Sequence, residues 1–279
     1  MFNYTNIKMK TVILVWTQSV CNLQKTEKDN FWGIGDLIRG TIKVYQLSKK
    51  LNFNMIVDIH LHPISHYLKH RPHEYEDLIE KNKDNISFIL PGNVEKYIKS
   101  KSEDEILWFL TNDVVKDPIT EDCQNFMKNI LTPNDVMEEH LENLSKLANS
   151  SYNVYNNCNS YNVIHFRVGD EELIKNINKS NFSLLYNTLC KKQEPNDLLL
   201  CDSLSFKSFI KEQGNKILMF ESNLAHIGYH NDHNQIRDTV GEFFMISRSS
   251  KIKTHSCYSW ISGFVYWISK IWNIPLEII

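Results

Sequence analysis

The sequence predicts an α/β fold made of two successive units, each with a parallel sheet. Short apolar runs such as Thr11–Trp16 and Met55–Ile59 alternate with stretches of helical spacing. This order of strand, helix and strand predicts parallel strands joined by crossover helices. The pattern restarts after a polar stretch at 149–160. We therefore expect an N-terminal unit at 1–155 and a C-terminal unit at 156–279.

Four strands are expected in the first half and four in the second. The first four are Thr11–Trp16, Met55–Ile59, Ile86–Leu90 and Ile106–Thr111, and the second four are Tyr161–Phe166, Asp197–Cys201, Lys216–Phe220 and Lys251–His255. Helices are expected after Gly33, between Thr132 and Leu147, and at Phe182–Lys191, Ser205–Gln213, Thr239–Ser247 and Tyr258–Trp272. In such sheets ligands bind at the carboxyl ends of the strands.

Composition excludes several classes of function. The 279 residues include 31 basic and 33 acidic side chains, a formal net charge of −2, so no basic footprint for nucleic acid is present. Six scattered cysteines form no C-x-x-C pair and are interpreted as free thiols. No signal peptide or membrane-spanning run is visible, and a cytoplasmic protein is expected.

The segment His165–Asp170 places an arginine at the end of a predicted strand. Arg167 can form bidentate hydrogen bonds to a diphosphate and can stabilise the charge of a leaving group. The alternative is that Arg167 pairs with Asp170 or Glu171 and has only a structural role.

Three segments together resemble one family. The pattern His-x-Arg-x-Gly-Asp at His165–Asp170 resembles the first motif of the superfamily of α1,2-, α1,6- and protein O-fucosyltransferases. The segment Asn196–Lys207 is similar to the second motif, and Asp238–Ser247 followed by Lys251–Gly263 to the third. The loop Gly33–Gly40 resembles the Gly-rich loop that opens the N-terminal domain. Residues 60–160 match no motif, and Val168 stands where a second arginine is common.

The resemblance implies a GT-B fold, with two Rossmann-like domains that face each other across a cleft. It implies inverting transfer of a sugar, fucose from GDP-fucose, to a glycan or another hydroxyl acceptor. The unit at 1–155 would take the acceptor and the unit at 156–279 the nucleotide sugar. Because such enzymes use arginine and helix dipoles at the diphosphate, no metal and no cofactor is expected.

The resemblance also assigns the donor site. Its expected residues are Gly33, Gly35, His165, Arg167, Asp202, Asp238, Ser256 and Ser259. The two glycines would let the backbone approach the sugar diphosphate, and the two aspartates would accept hydrogen bonds from guanine or ribose. Ser256 and Ser259 are expected at a helix N-terminus, where hydroxyl and N–H groups meet phosphate. Ordinary helix capping is the alternative for each serine.

An inverting transfer needs a base for the acceptor hydroxyl. Asp36 is the first candidate because it lies on the Gly-rich loop, and Glu171 and Glu172 are the others. In the α1,6 branch a proposed base lies ten positions after the motif histidine, where this chain has Lys175. That assignment therefore does not transfer.

Two other functions remain open on sequence alone. The end of Met55–His62 resembles the first metal motif of amidohydrolase barrels, in which two histidines bind one ion. His60 and His62 would be those ligands, and His66, His70 and His73 follow them. A barrel, however, needs eight strand and helix pairs, and histidines in a loop can also be solvated or capping. The third possibility is a nucleotide- or glycan-binding protein without turnover.

Overall fold

The computed structural model describes residues 9–17, 33–70, 76–82, 86–152, 161–168, 182–220, 224 and 232–279. The chain divides into two compact units, Met1–Thr132 and Pro133–Ile279. The observed boundary, between Thr132 and Pro133, therefore lies before the boundary at 155/156 that the sequence composition predicts. The reason is that the helix Asp135–Tyr152 packs on a later helix, His233–Ser247, of the second unit.

The first unit alternates strands and helices along the described chain. Its elements are β1 (Thr11–Val15), α1 (Ile34–Leu51), β2 (Asn54–Asp58), a 3-10 helix (Pro63–Tyr67), α2 (Glu76–Asn82), β3 (Ser87–Phe88), α3 (Val94–Lys99), β4 (Ile106–Leu110) and α4 (Glu121–Ile130). The strands lie in the order β2-β1-β4-β3, and every pairing is parallel. The core holds the apolar residues of β1 and β4 against α1 and α3.

Helix α1 lies very close to the end of β4. A Cβ atom added to Gly40 would lie 1.8 Å from the backbone oxygen of Thr111. Arg39, the preceding residue, donates from Nε to the backbone oxygen of Asn112 at 2.9 Å. Glycine at position 40 is therefore required by a close approach of two backbones.

The second unit has a five-stranded sheet. Its elements are α5 (Asp135–Tyr152), β5 (Asn162–Arg167), α6 (Phe182–Lys192), β6 (Asp197–Cys201), α7 (Leu204–Glu212), β7 (Leu218–Met219), α8 (His233–Ser247), β8 (Ile252–Ser256), α9 (Gly263–Trp272) and β9 (Leu276–Ile278). The strands are all parallel, in the order β7-β6-β5-β8-β9. Counted from β5, this is the order 3-2-1-4-5 of a mononucleotide-binding sheet.

In that order the chain direction across the sheet reverses between β5 and β8. From β5 the chain moves outward to β6 and β7, and it then returns to the other side of β5 to form β8 and β9. Connections on the two sides leave opposite faces of the sheet, so a crevice opens at the carboxyl ends of these two strands. The topology thus marks one place in the second unit for a ligand.

Each of the eight predicted strands overlaps a strand of the structure, while several predicted helices begin elsewhere. Helix α8 begins at His233 with Asp232 as its N-cap, six residues before the predicted start at Thr239. Helix α9 begins at Gly263 and not at Tyr258. Helices α2, α3 and α4 and strand β9 were not predicted. No helix in the described ranges is both long and apolar enough to cross a membrane.

Candidate functional site

The crevice of the second sheet lies between the last residues of two central strands. Arg167, the final residue of β5, is the register partner of Ser256, the final residue of β8. The pairing extends one residue further, because the N–H of Cys257 donates to the backbone oxygen of Arg167 at 3.0 Å. The predicted phosphate-binding arginine therefore lies at the switch point of the sheet.

Asp202, which directly follows β6, holds the guanidinium of Arg167. Arg167 Nη1 donates to Asp202 Oδ2 at 2.7 Å, and the N–H of Val168 donates to Oδ1 at 2.8 Å. The side chains of Arg167 and Asp202 are 20% and 8% exposed. One carboxylate thus orients the guanidinium and fixes the backbone that follows it. Asp170 and Glu171, the partners considered from sequence, lie outside the described residues.

This contact bears on the role expected for Asp202. Both of its oxygens already accept hydrogen bonds from protein groups. The structure therefore shows Asp202 as the residue that positions Arg167, and a contact of Asp202 with guanine or ribose stays a prediction.

The next residue, Ser203, caps α7 by accepting the N–H of Phe206 at 2.9 Å. The positive end of the α7 dipole consequently points to the same edge of the sheet.

His165 lies two residues before Arg167 and is buried. Its Nδ1 lies 3.2 Å from the hydroxyl oxygen of Thr254, and its ring stacks on Phe264. Burial, and secondarily the charge of Arg167, lower the pKa of His165 to about 3. The ring is therefore neutral at physiological pH and supports the strand from within the core. Its predicted contact with the donor stays a prediction.

The two serines do not lie where the sequence placed them. Ser256 ends β8, and its hydroxyl oxygen accepts the N–H of Tyr258 at 3.2 Å. Ser259 is exposed in the segment that precedes α9, four residues before the helix begins at Gly263. The expectation of a helix N-terminus at these serines is wrong. Because Cys257 still pairs with β5, the chain has to turn after that residue before α9 can begin.

The same segment carries an aromatic pair that sequence reasoning missed. The rings of Tyr258 and Trp260 stack with centroids 4.8 Å apart and planes 9° apart. Trp260 is 64% exposed. The signal in the sequence was the spacing of two aromatic residues in a Ser-rich stretch, which was predicted as the start of the helix Tyr258–Trp272. The pair offers planar apolar surface beside the end of β8.

Asp238 lies in the second turn of α8. Its Oδ1 accepts from Arg237 Nη2 at 3.0 Å and lies 3.5 Å from His140 Nε2 on α5. Burial and the charge of Arg237 lower the pKa of His140, while Asp238 acts in the opposite direction. A Cβ atom at Gly241 would lie 2.9 Å from the His140 ring, so α5 and α8 are in close contact. The predicted nucleotide contact of Asp238 stays untested.

In the first unit, the Gly-rich segment begins a helix. Gly33 is the N-cap of α1, with open space where its Cβ would be, and Gly35 is buried in the first turn. Asp36 Oδ1 forms an ion pair with Arg39 Nη2 at 2.9 Å. The first candidate for the base is therefore a paired carboxylate, and its role stays a prediction. Glu171, Glu172 and Lys175 lie outside the described part of the chain.

The histidines after β2 have separate local roles. The N–H of Ile64 donates to Nδ1 of His62, which caps the 3-10 helix, and burial lowers the pKa of His62 to about 3. His70 Nε2 donates to the backbone oxygen of Val57 at 2.7 Å, and His60 contacts Asp58. His73 lies outside the described residues.

This arrangement does not support the metal-dependent hydrolase. Within the described ranges, no group of three or more His, Cys, Asp or Glu side chains is placed to hold a metal ion. The strands of the described residues form two open parallel sheets and not one closed barrel. The reading of His60 and His62 as the metal ligands of an amidohydrolase barrel is therefore wrong. Whether the reaction needs a metal is a separate matter, on which our expectation remains a prediction.

Comparison with known proteins supports the fold. No protein family matches the chain by its sequence profile, and no curated protein matches it in sequence. Two solved structures of NodZ α-1,6-fucosyltransferase are similar to it. One, co-crystallized with GDP, has a TM-score of 0.53 and 10% identity, over 93% of this chain and 91% of that one. The other, soaked with GDP-fucose, has a TM-score of 0.51 and 10% identity, over 96% and 94%.

The fold is of the GT-B type. At 10% identity the likeness extends to architecture and not to activity. The GT-B assignment agrees with the two parallel α/β units and confirms the fold class that the sequence predicts.

Proposed function

We propose that the chain is a glycosyltransferase that transfers fucose from GDP-fucose, with inversion and without a metal, to a hydroxyl group of a glycan or another acceptor. One observation carries the proposal. Arg167 lies at the switch point of the second sheet, and Asp202 holds its guanidinium. The similarity of fold to NodZ structures obtained with GDP and with GDP-fucose supports the choice of donor.

The chemistry suits these groups. The bond between the sugar C1 and the diphosphate oxygen breaks, and its electron pair leaves with the diphosphate. The acceptor oxygen bonds to C1, and its proton passes to a base. Arg167 stabilises the charge that develops on the leaving oxygen, and the N-terminus of α7 adds a fixed positive dipole. Because Asp202 already orients the guanidinium, little reorganisation is needed during the reaction.

The first experiment is thermal melting of the purified protein with GDP, GDP-fucose, GDP-mannose, UDP-glucose and UDP. A ligand that binds only the folded state raises the melting temperature. A rise with the guanine nucleotides alone would support the proposal. A rise with UDP and UDP-glucose alone would still support an enzyme that uses a nucleotide sugar, but it would exclude GDP-fucose as the donor. No rise with any of them would contradict the proposal.

The second experiment is Arg167→Ala, with Arg248→Ala as its matched control. Arg248 is the C-cap residue of α8. Its side chain is exposed and forms an ion pair with Glu138. We expect the first variant to lose roughly 100-fold or more in transfer rate, as when one transition-state charge contact is removed. The control should keep the wild-type rate. Near-normal turnover in Arg167→Ala would refute the role assigned to this residue.

A binding protein without turnover is the second candidate. The observation that favours it is the ion pair of Asp36 with Arg39, which engages the base that the sequence ranked first. Its signature would be a melting shift with GDP-fucose and no release of GDP, either with water or with glycan acceptors. Steady release of GDP would exclude it.

A further inference from the structure

The second unit carries an exposed aromatic pair to which the proposed chemistry gives no role. The rings of Tyr258 and Trp260 stack in parallel, with centroids 4.8 Å apart. Trp260 is 64% exposed, and it is the one aromatic residue among the exposed large apolar side chains of the described residues. Because Tyr258 covers one face of the indole, the exposed area belongs largely to the other face. Single exposed apolar side chains are common on protein surfaces, but this one belongs to a preformed stack.

The segment 258–262, which connects β8 to α9, begins next to Arg167. The N–H of Cys257 donates to the backbone oxygen of Arg167 at 3.0 Å. Consecutive Cα atoms are 3.8 Å apart, so the Cα of Trp260 lies at most about 11 Å from the Cα of Cys257. The aromatic pair is therefore within the length of one nucleotide of the switch point of the sheet.

Arg167 and this segment also share one face of the sheet. Successive side chains of a strand alternate between faces, so His165 and Arg167 lie on the same face. The ring of His165 stacks on Phe264, the second residue of α9. Phe264 also contacts Phe243 on α8, with ring centroids 5.5 Å apart. The face that carries Arg167 is thus the face that α8 and α9 cover, and the segment 258–262 leads onto it.

The charge and the flat surface together fit one ligand chemistry. The guanidinium of Arg167 and the N-terminus of α7 favour anionic groups. The open face of Trp260 favours another planar ring, because offset stacking adds to the burial of apolar area. A sugar ring by itself has neither a charge nor a flat face. A nucleoside diphosphate has a charged end and a planar end, separated by the ribose.

We propose that Tyr258 and Trp260 form the stacking surface for the nucleobase of the donor, a role that rests on the proposed function. The diphosphate lies at Arg167, and the base extends from it along the β8 side of the crevice and stacks on Trp260. Every base has a π face, so this contact strengthens binding without selecting guanine. Selection of guanine then requires contacts with the edge of the base, the role predicted for Asp238. Because Cys257 holds one end of the segment and Phe264 the other, little order has to be created on binding.

The test measures calorimetric binding of GDP and of inorganic pyrophosphate, which has no base. The variant is Trp260→Ala. Its matched control is Leu184→Ala, because Leu184 on α6 is another apolar side chain of this unit and is 69% exposed. We expect Trp260→Ala to weaken GDP binding about 5-fold to 100-fold, the scale of one base on an aromatic ring, and to leave pyrophosphate binding within about twofold. Leu184→Ala should bind both as the wild type does.

Two further variants at the same position separate stacking from simple apolar contact. Trp260→Phe keeps a ring and should bind GDP within about threefold of the wild type, whereas Trp260→Leu should lose most of what the alanine variant loses. The part of the tryptophan fluorescence that GDP quenches should be smaller in Trp260→Phe. Because the side chain is exposed, none of these variants should move the melting temperature of the ligand-free protein by more than about 2 °C.

Three results would overturn the assignment. The first is GDP binding by Trp260→Ala within about twofold of the wild type. The second is an equal loss for GDP and pyrophosphate, which would mean that the pair supports the position of Arg167. The third is unchanged GDP binding with a raised KM for a glycan acceptor, which would assign the surface to a sugar ring.

These measurements also distinguish failure of the stacking role from failure of the proposed function. If the wild type and Trp260→Ala bind GDP equally well, the stacking role fails and the proposed function stands. If the wild type binds no GDP, transfer from GDP-fucose is excluded. Trp260→Ala is then compared with the wild type on UDP, ADP and CDP, since stacking tolerates any base. A wild-type protein that binds none of the four nucleotides would overturn both proposals.

Discussion

Acidification should destabilise the second unit through His165. Burial, and then the charge of Arg167, lower the pKa of His165 from 6.5 to about 3. The unfolded chain therefore binds a proton as the pH falls through about 6.5, while the folded chain binds none until about 3. Stability from this residue is fully present above pH 6.5 and is lost as the pH falls toward 3. At pH 5 the loss is about 2 kcal/mol, since one pKa unit corresponds to about 1.4 kcal/mol.

The perturbation is His165→Asn, which removes the titrating ring. The assay is hydrogen exchange of the β6 amides, which reports opening of this unit, at pH 7.5 and pH 5 in mild denaturant and with correction for the intrinsic exchange rate. In the wild type the opening free energy should fall by about 2 kcal/mol between the two pH values through His165. In His165→Asn that part of the fall should be absent.

The control for this prediction is His233→Asn, because His233 is exposed at the start of α8. It should keep the pH dependence of the wild type. His62 has the same lowered pKa in the first unit, so peptides of β1 should show a similar fall that His165→Asn leaves unchanged. If His165→Asn keeps the whole pH dependence in β6, the reasoning about the buried neutral ring is refuted.

Two further predictions concern Gly40 and Asp202. Gly40→Ala should destabilise the first unit by about 3 kcal/mol or more in urea unfolding, because its Cβ would meet the Thr111 oxygen at 1.8 Å. Gly33→Ala, which meets nothing within 4 Å, is the control, and equal stability of the two variants would contradict the contact. Asp202→Asn should weaken GDP binding about tenfold by releasing Arg167, the scale of one hydrogen bond to a charged group. If Asp202 acts only through Arg167, the double variant with Arg167→Ala should bind GDP no more weakly than Arg167→Ala alone, whereas additive losses would show a direct contact.

Much of the fold could be predicted from local sequence. A run such as Asp197–Cys201 is short, apolar and bounded by polar residues, which favours a buried parallel strand wherever it lies. Arg167 could be placed at the end of a strand for the same reason. Helix starts were less predictable. Asp232 caps α8. The start was nevertheless predicted at Thr239, because the apolar periodicity is stronger from that residue on.

The candidate site could be predicted only in part. Arg167 and Asp202 were both expected there, but as separate ligands of the donor and not as partners in one hydrogen bond. They are 35 positions apart in the chain, and the pairing of β5 with β6 brings them together. The histidines after β2 show the reverse case. Their closeness in sequence suggested a shared metal, whereas each ring faces a different neighbour in the structure.

The sequence by itself determined that this chain forms parallel α/β units, that an arginine ends a central strand, and that histidines follow β2. These features depend on apolar patterning and on side-chain chemistry, which act over a few residues. Only the tertiary structure decided that Arg167 is held by Asp202, that Ser256 and Ser259 precede the helix, and that each histidine after β2 contacts a different neighbour. Those facts depend on strand register and on burial, which arise from contacts between segments far apart in the chain.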